Sequence, residues 1–195
     1  MIQSSDSENK KAAALALAEE HGWQIAPCWW AADGRCGCGD PNCSSPGKHP
    51  IGQLAPRGLK SATSDLSVIA EWWDKQPRAN IAARTGTAFW AVDCDGAEGQ
   101  RAFYEMCDRN ESYGETVSQL TGGGGMQEFF RPVKGIRNRT KINGLSIDVR
   151  GEDGYVIVPP SEHVSGKRYA WQFGPDRYKL LEAPKWLVEF AQNGT

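Results

Sequence analysis

At 195 residues, with 39% hydrophobic content and eight Trp, the chain has the length of a single domain (1–195) and can bury a substantial core. A formal net charge of −2 excludes a protein that coats nucleic acid electrostatically, but not an enzyme that gathers its basic groups locally. No apolar run approaches ~18 residues, and the polar start Ser4–Glu8 lacks the order of a signal peptide, so the expectation is a cytoplasmic chain with no membrane partner.

In chain order, residues 7–21 are Ala-rich and predict a helix, with Gly22 placed to stop it. A short strand follows over Trp23–Pro27. Residues from about 32 to 56 are rich in Cys, Gly and Pro and carry neither the helical nor the strand period, so they read as a functional or metal-stapled loop. Asp65 is a cap candidate for a helix that runs to about Gln76 and carries Trp72 and Trp73. Strands are expected near Asn80–Arg84 and Phe89–Asp93, then a helix over about Glu98–Asn110. Further strands fall near Thr116–Leu120, Gln127–Arg131, Leu145–Val149, Tyr155–Val158 and Tyr169–Gln172. A last helix covers roughly Pro184–Gln192. This order of hairpins and βα units predicts an α+β fold, with helices packed on a mixed sheet.

The sharpest chemical signal is Ala91-Val92-Asp93-Cys94-Asp95-Gly96 at the end of an apolar strand. Strand alternation puts Asp93 and Asp95 on one face. Carboxylates held that close repel one another unless cations intervene, and hard divalent ions favour oxygen ligands. Asp148, in Leu145-Ser146-Ile147-Asp148-Val149-Arg150, offers a third carboxylate. Together the three suit two Mg²⁺ or Mn²⁺ ions, and as metal ligands they are expected to be exposed rather than core groups. The competing reading makes Asp95-Gly96 a plain strand-to-turn cap.

A second constellation is Cys36-Gly37-Cys38 with Cys43 and His49. Three thiolates and an imidazole are a usual set for tetrahedral structural Zn²⁺. Cys28 is an alternative fourth ligand, but its apolar surroundings favour the core, as do those of Cys94 and Cys107. A third feature is the stretch Arg131–Lys141, which holds five basic residues and no acid. It reads either as a solvated loop or as a contact for template or triphosphate.

The ordered series of segments resembles the Prim-Pol family of bifunctional primase-polymerases from phages and plasmids, in the archaeo-eukaryotic primase superfamily. The matching pieces are Gly58–Asp65, the Trp72-Trp73 helix, Ala79–Gly86, Val92–Gly96, Gly124–Arg131, Ile147–Gly151 and Gly154–His163. The resemblance implies an RRM-like catalytic fold with an inserted zinc loop at about 32–56. It implies Asp93, Asp95 and Asp148 as catalytic metal ligands, and a glycine hairpin at Gly124 and Gly125 that lets backbone approach nucleotide phosphates. Arg150 would face the triphosphate, and Ser161 and His163 match a loop near the nucleotide. One position departs: the family usually places a His as triphosphate ligand where this chain has Gln127. Gln127 keeps a nucleotide-binding role because its amide can donate a hydrogen bond to phosphate, though it carries no charge.

The function expected is template-directed nucleotidyl transfer from NTP or dNTP on single-stranded DNA by a DNA primase/polymerase. Family members often continue into a helicase, so the resemblance makes a helicase domain or protein a candidate partner. The alternative, which Gln127 keeps open, is a catalytically weakened nucleotide- or DNA-binding replication module. A nuclease using the same carboxylates is a weaker third reading, since no His or Lys general-base motif accompanies them.

Overall fold

The computed structural model describes residues 3–194. The chain forms two compact units, one from Met1–Arg84 with Tyr155–Ala170 and one from Thr85–Gly154 with Trp171–Thr195.

In the first unit, helix α1 (Gln3–His21) is longer than its Ala-rich stretch and ends at Gly22, whose N–H donates to the Ala18 carbonyl at 3.0 Å. Helix α2 (Leu66–Lys75) begins where the sequence places its cap: Asp65 accepts from the N–H groups of Ser67 and Val68. Its apolar spacing buries Ile69, Trp72 and Trp73, and the Trp73 indole donates to the Ala79 carbonyl at 3.1 Å. The sheet of this unit has the order β1 (Ile25–Cys28), β4 (Asn80–Arg84), β9 (Tyr155–Val158), and both ladders are antiparallel. Its strands are nearly continuous buried residues, as a sheet covered on both faces requires. A small hairpin, β2 (Ala31–Ala32) with β3 (Arg35–Cys36), enters the Cys-rich segment that sequence periodicity leaves irregular.

The second unit is a five-stranded sheet in the order β10 (Ala170–Phe173), β6 (Ser118–Leu120), β7 (Met126–Phe130), β5 (Trp90–Cys94), β8 (Ile147–Arg150). The ladders β6–β7, β7–β5 and β5–β8 are all antiparallel, and of these only β6–β7 is a direct hairpin; the other two pair strands distant in sequence. Helices α3 (Gly96–Arg109) and α4 (Lys185–Asn193) cover one face. There Trp90, Val92, Cys94, Met126, Phe130, Ile147 and Val149 pack with Phe103, Leu187 and Phe190. Each large apolar side chain of that kind contributes about 1.5–3 kcal/mol on full burial. Alternation then commits Asp93, Gln127, Asp148 and Arg150 to the opposite face. No described helix is long and apolar enough to cross a membrane.

Candidate functional site

Register builds the carboxylate site. Asp93 of β5 lies directly across from Asp148 of β8 on one side and from Gln127 of β7 on the other, and Gln127 in turn faces Gln119 of β6. The four form one polar row across four strands of the sheet. Gln119 Nε2 donates to Gln127 Oε1 at 2.5 Å, which fixes the amide so that the Gln127 side chain hydrogen-bonds Asp93. Asp148 Oδ1 accepts from the Lys141 backbone N–H at 2.8 Å.

Arg150 lies two residues beyond Asp148 on the same face and bridges both carboxylates. Its Nη2 is 2.7 Å from Asp148 Oδ2 and 3.4 Å from Asp93 Oδ2. Asp93 and Asp148 are only 8% and 6% exposed, so the expectation of exposed carboxylates is corrected for these two. Once alternation turns them away from solvent, they need a partner, and a guanidinium supplies it. Burial pushes the Asp93 carboxyl above its usual range; Arg150 and the Gln127 hydrogen bond oppose this, while Asp95 and Asp148 reinforce it. A site that recruits an internal cation suits divalent ions by its donor chemistry.

Asp95 is different. It is exposed, it precedes α3 in an extended conformation, and its side chain makes no cap hydrogen bond to the helix. Asp95 occupies the N-cap position and Gly96, at φ 61°, turns the chain as the plain cap reading expects, but the carboxylate is left uncommitted to the helix. Beside it, the β6–β7 hairpin closes through Thr121, whose Oγ1 accepts from the Gly125 N–H at 2.9 Å and whose carbonyl accepts from the Gly124 N–H at 3.0 Å. A Cβ on Gly125 would sit 2.5 Å from the Cys94 carbonyl oxygen and 3.2 Å from the Gly96 nitrogen. The hairpin can approach the Asp95 turn only without that side chain.

In the first unit, Cys36, Cys38, Cys43 and His49 converge with all ligand atoms within 4.8 Å of one another. Among the described residues this is the one such cluster of three or more His, Cys, Asp or Glu side chains. His49 Nε2 is 3.4 Å from the sulfurs of both Cys36 and Cys43, close to the edge of about 3.6 Å for S and N ligands of tetrahedral zinc. Burial works against ionising Cys36. Backbone N–H groups of Cys38 and Gly47 aimed at its sulfur outweigh this, and its thiol lies below its ordinary value. Cys28 stays outside the cluster: it is fully buried and its sulfur contacts the Lys48 carbonyl. Cys94 is core, while Cys107 is only partly buried and lies 3.8 Å from the Tyr113 hydroxyl.

Ser161 is fully buried, and its Oγ accepts from the Ile81 N–H at 2.8 Å. It pins the loop that carries His163. The His163 imidazole Nδ1 meets Ser165 Oγ at 3.0 Å, and its ring stands edge-on to Tyr169. Burial, with Lys48 nearby, lowers the basicity of His163.

Two residues of this architecture escaped sequence reasoning. Gln119 orients Gln127, and the available signal was a polar residue in strand phase with it. Asn80 is fully buried, donates to the Gly47 and Glu162 carbonyls, and accepts from the Glu162 N–H, tying the Cys-rich loop to the His163 loop. An Asn opening an apolar strand was its only mark.

Residues 14–186 match the family described as bifunctional DNA primase/polymerase, N-terminal. No curated protein matches the chain.

Proposed function

The chain belongs to the bifunctional DNA primase/polymerase (Prim-Pol) family, and on that premise we propose that it transfers nucleoside monophosphates from NTP or dNTP to a growing 3′ end on a single-stranded DNA template. Membership places it with nucleotidyltransferase-type replication enzymes. The two-metal mechanism, a cytoplasmic setting in phage or plasmid replication, and a helicase partner are our reading. So is the treatment of both compact units as one Prim-Pol domain.

The observation that carries the mechanism is the buried Asp93–Asp148 cross-strand pair, with Asp95 exposed at the end of the same strand. Two Mg²⁺ or Mn²⁺ ions bound there would activate the 3′-hydroxyl and stabilise the departing pyrophosphate. Asp93, Asp95 and Asp148 are the ligands. Arg150, paired with both carboxylates here, would be available to contact the triphosphate if metal met their charge. Gly124 and Gly125 keep the hairpin tip bare for phosphate approach, and Gln127 holds Asp93 in place. His163 is assigned to the nucleotide side, with Ser161 holding its loop. The Cys36, Cys38, Cys43 and His49 set holds a structural Zn²⁺, since four protein ligands leave no open position.

The test is primer extension and de novo synthesis with Mg²⁺ and with Mn²⁺. The native chain should incorporate nucleotide, and Asp93→Asn/Asp95→Asn should lose about 100-fold or more while keeping its circular dichroism. Undiminished incorporation by that variant defeats the catalytic assignment. A second reading, a nucleotide- or DNA-binding module without turnover, is favoured by Gln127. Its amide is engaged at both ends, by Gln119 and Asp93, and carries no charge for phosphate. Metal-dependent nucleotide binding without incorporation by the native chain would establish it.

A further inference from the structure

The basic stretch after β7 is a built edge rather than a loose loop. Edge strand β8 is covered by residues 137–139: Arg139 and Val149 exchange both backbone hydrogen bonds, at 3.0 and 2.9 Å, and the Arg137 backbone forms a parallel β-bridge with that of Glu152. Asn138, between the two arginines, clamps the segment inward. Its Oδ1 accepts from the Gly151 N–H at 3.0 Å and its Nδ2 donates to the Glu152 carbonyl at 3.1 Å. A Cβ on Gly151 would lie 2.2 Å from the Ile136 carbonyl oxygen, and one on Gly154 would lie 2.1 Å from Asn138 Oδ1. Both glycines are thus needed for the segment to seat. Ile136 and Ile142 anchor its ends in the core.

What this edge presents is charge. Lys134, Arg137, Arg139 and Lys141 are all exposed, and none makes an ion pair with a described residue. The nearby acid Glu152 is engaged by the Gly135 N–H at 2.9 Å; Asp153 is the other acid of that turn. In a chain of net charge −2, four unpaired cations on eight residues form a strong local field. The same segment holds Asp148 through the Lys141 N–H, so a bound strand would be continuous with the carboxylate site.

We propose that Lys134, Arg137, Arg139 and Lys141 form a phosphate track for a single-stranded nucleic acid, leading it to the carboxylates. The identity of that strand as template rests on the polymerase reading; the track itself does not. The variant is Lys134→Gln/Arg137→Gln/Arg139→Gln/Lys141→Asn, with Asn chosen because residue 141 has φ 48°. Affinity for a fluorescent single-stranded oligonucleotide is measured by anisotropy across a NaCl series, without nucleotide or added Mg²⁺ or Mn²⁺ so that no turnover occurs. The slope of log K against log [salt] should become shallower by about 0.7 per cation lost, about 3 in all. Lys179→Gln/Lys185→Gln, which removes exposed cations elsewhere on the second unit, should leave the slope unchanged. A native slope in the track variant, or no oligonucleotide binding by the native chain, overturns the proposal. Weakened nucleotide binding with the slope retained also overturns it, and makes the triphosphate the occupant. A native chain that binds the strand with this slope yet incorporates nothing undoes the catalytic reading and leaves the track standing.

Discussion

The Cys-rich loop and the carboxylate row both gather metal-ligating side chains, but they solve opposite problems. The four ligands of the loop lie within fourteen residues, so turns alone bring them together, with ligand atoms already within 4.8 Å. The aspartates are 55 residues apart (93 to 148) and meet only because β5 and β8 pair in one register. In the loop, neighbouring N–H groups favour the thiolate at Cys36. The row is held by Arg150, and one ligand, Asp95, stays exposed. A closed, self-contained set suits a permanent structural ion. A set neutralised by a movable side chain suits ions that arrive with a charged substrate.

The largest effect tests the closed side of that contrast. Cys43→Ser should take zinc from about one per chain to near none by elemental analysis, and should lower the thermal midpoint by many degrees, because the segment 32–56 has little apolar content of its own. A zinc-free native protein of unchanged stability, or a Cys36–Cys43 disulfide, would break the comparison there.

Arg150→Gln tests the other side. Without metal it should destabilise the protein by about 2–3 kcal/mol in a denaturant titration, since two buried carboxylates lose their cation. Added Mn²⁺ should restore more stability to the variant than to the native chain, while nucleotide affinity falls. Equal metal stabilisation in both proteins would separate Arg150 from the metal site.

Gln127→His is expected to leave incorporation unchanged or raise it several-fold in steady-state assays, through a cation-capable ring at the phosphate side. It also gives up the Gln119 contact, so a fall in activity would show that holding Asp93 matters more.

The smallest effect concerns Glu128, a half-buried carboxyl on the helix-facing side of the same sheet, which accepts from the Tyr113 hydroxyl at 2.6 Å. Burial raises its pKa, so its ionised form opposes folding; its favourable contribution is full below the unfolded value near 4.5 and is lost as pH rises through the folded value. Glu128→Gln should therefore be slightly more stable than native at pH 7, with the gain vanishing towards pH 4. Unlike the Arg150 variant, it should respond to Mn²⁺ as the native chain does.

Several elements were legible in the residues. Asp65 caps α2 as its spacing indicates, Asn80–Arg84 and Tyr155–Val158 are strands with the expected bounds, and the convergence of Cys36, Cys38, Cys43 and His49 was foreseeable from residue type and spacing. The β2–β3 hairpin was not, because two-residue strands carry no period. The cover that residues 137–139 lay over β8 was hidden for a related reason: it rests on two glycines and an Asn distant in sequence.

What the sequence by itself determined is the chemistry available: which side chains can ligate soft and hard metals, which strands have one apolar face, and which segments follow the order of a known family. Those are local properties, set by residue type and by periods of two and 3.6. Only the tertiary structure decided which of these groups meet. Register placed Asp93 opposite both Asp148 and Gln127, burial left the two carboxylates in need of Arg150, and the engaged amide of Gln127 was fixed by Gln119. Each depends on pairing between distant strands, and a slip of one residue would turn every one of these side chains to the other face.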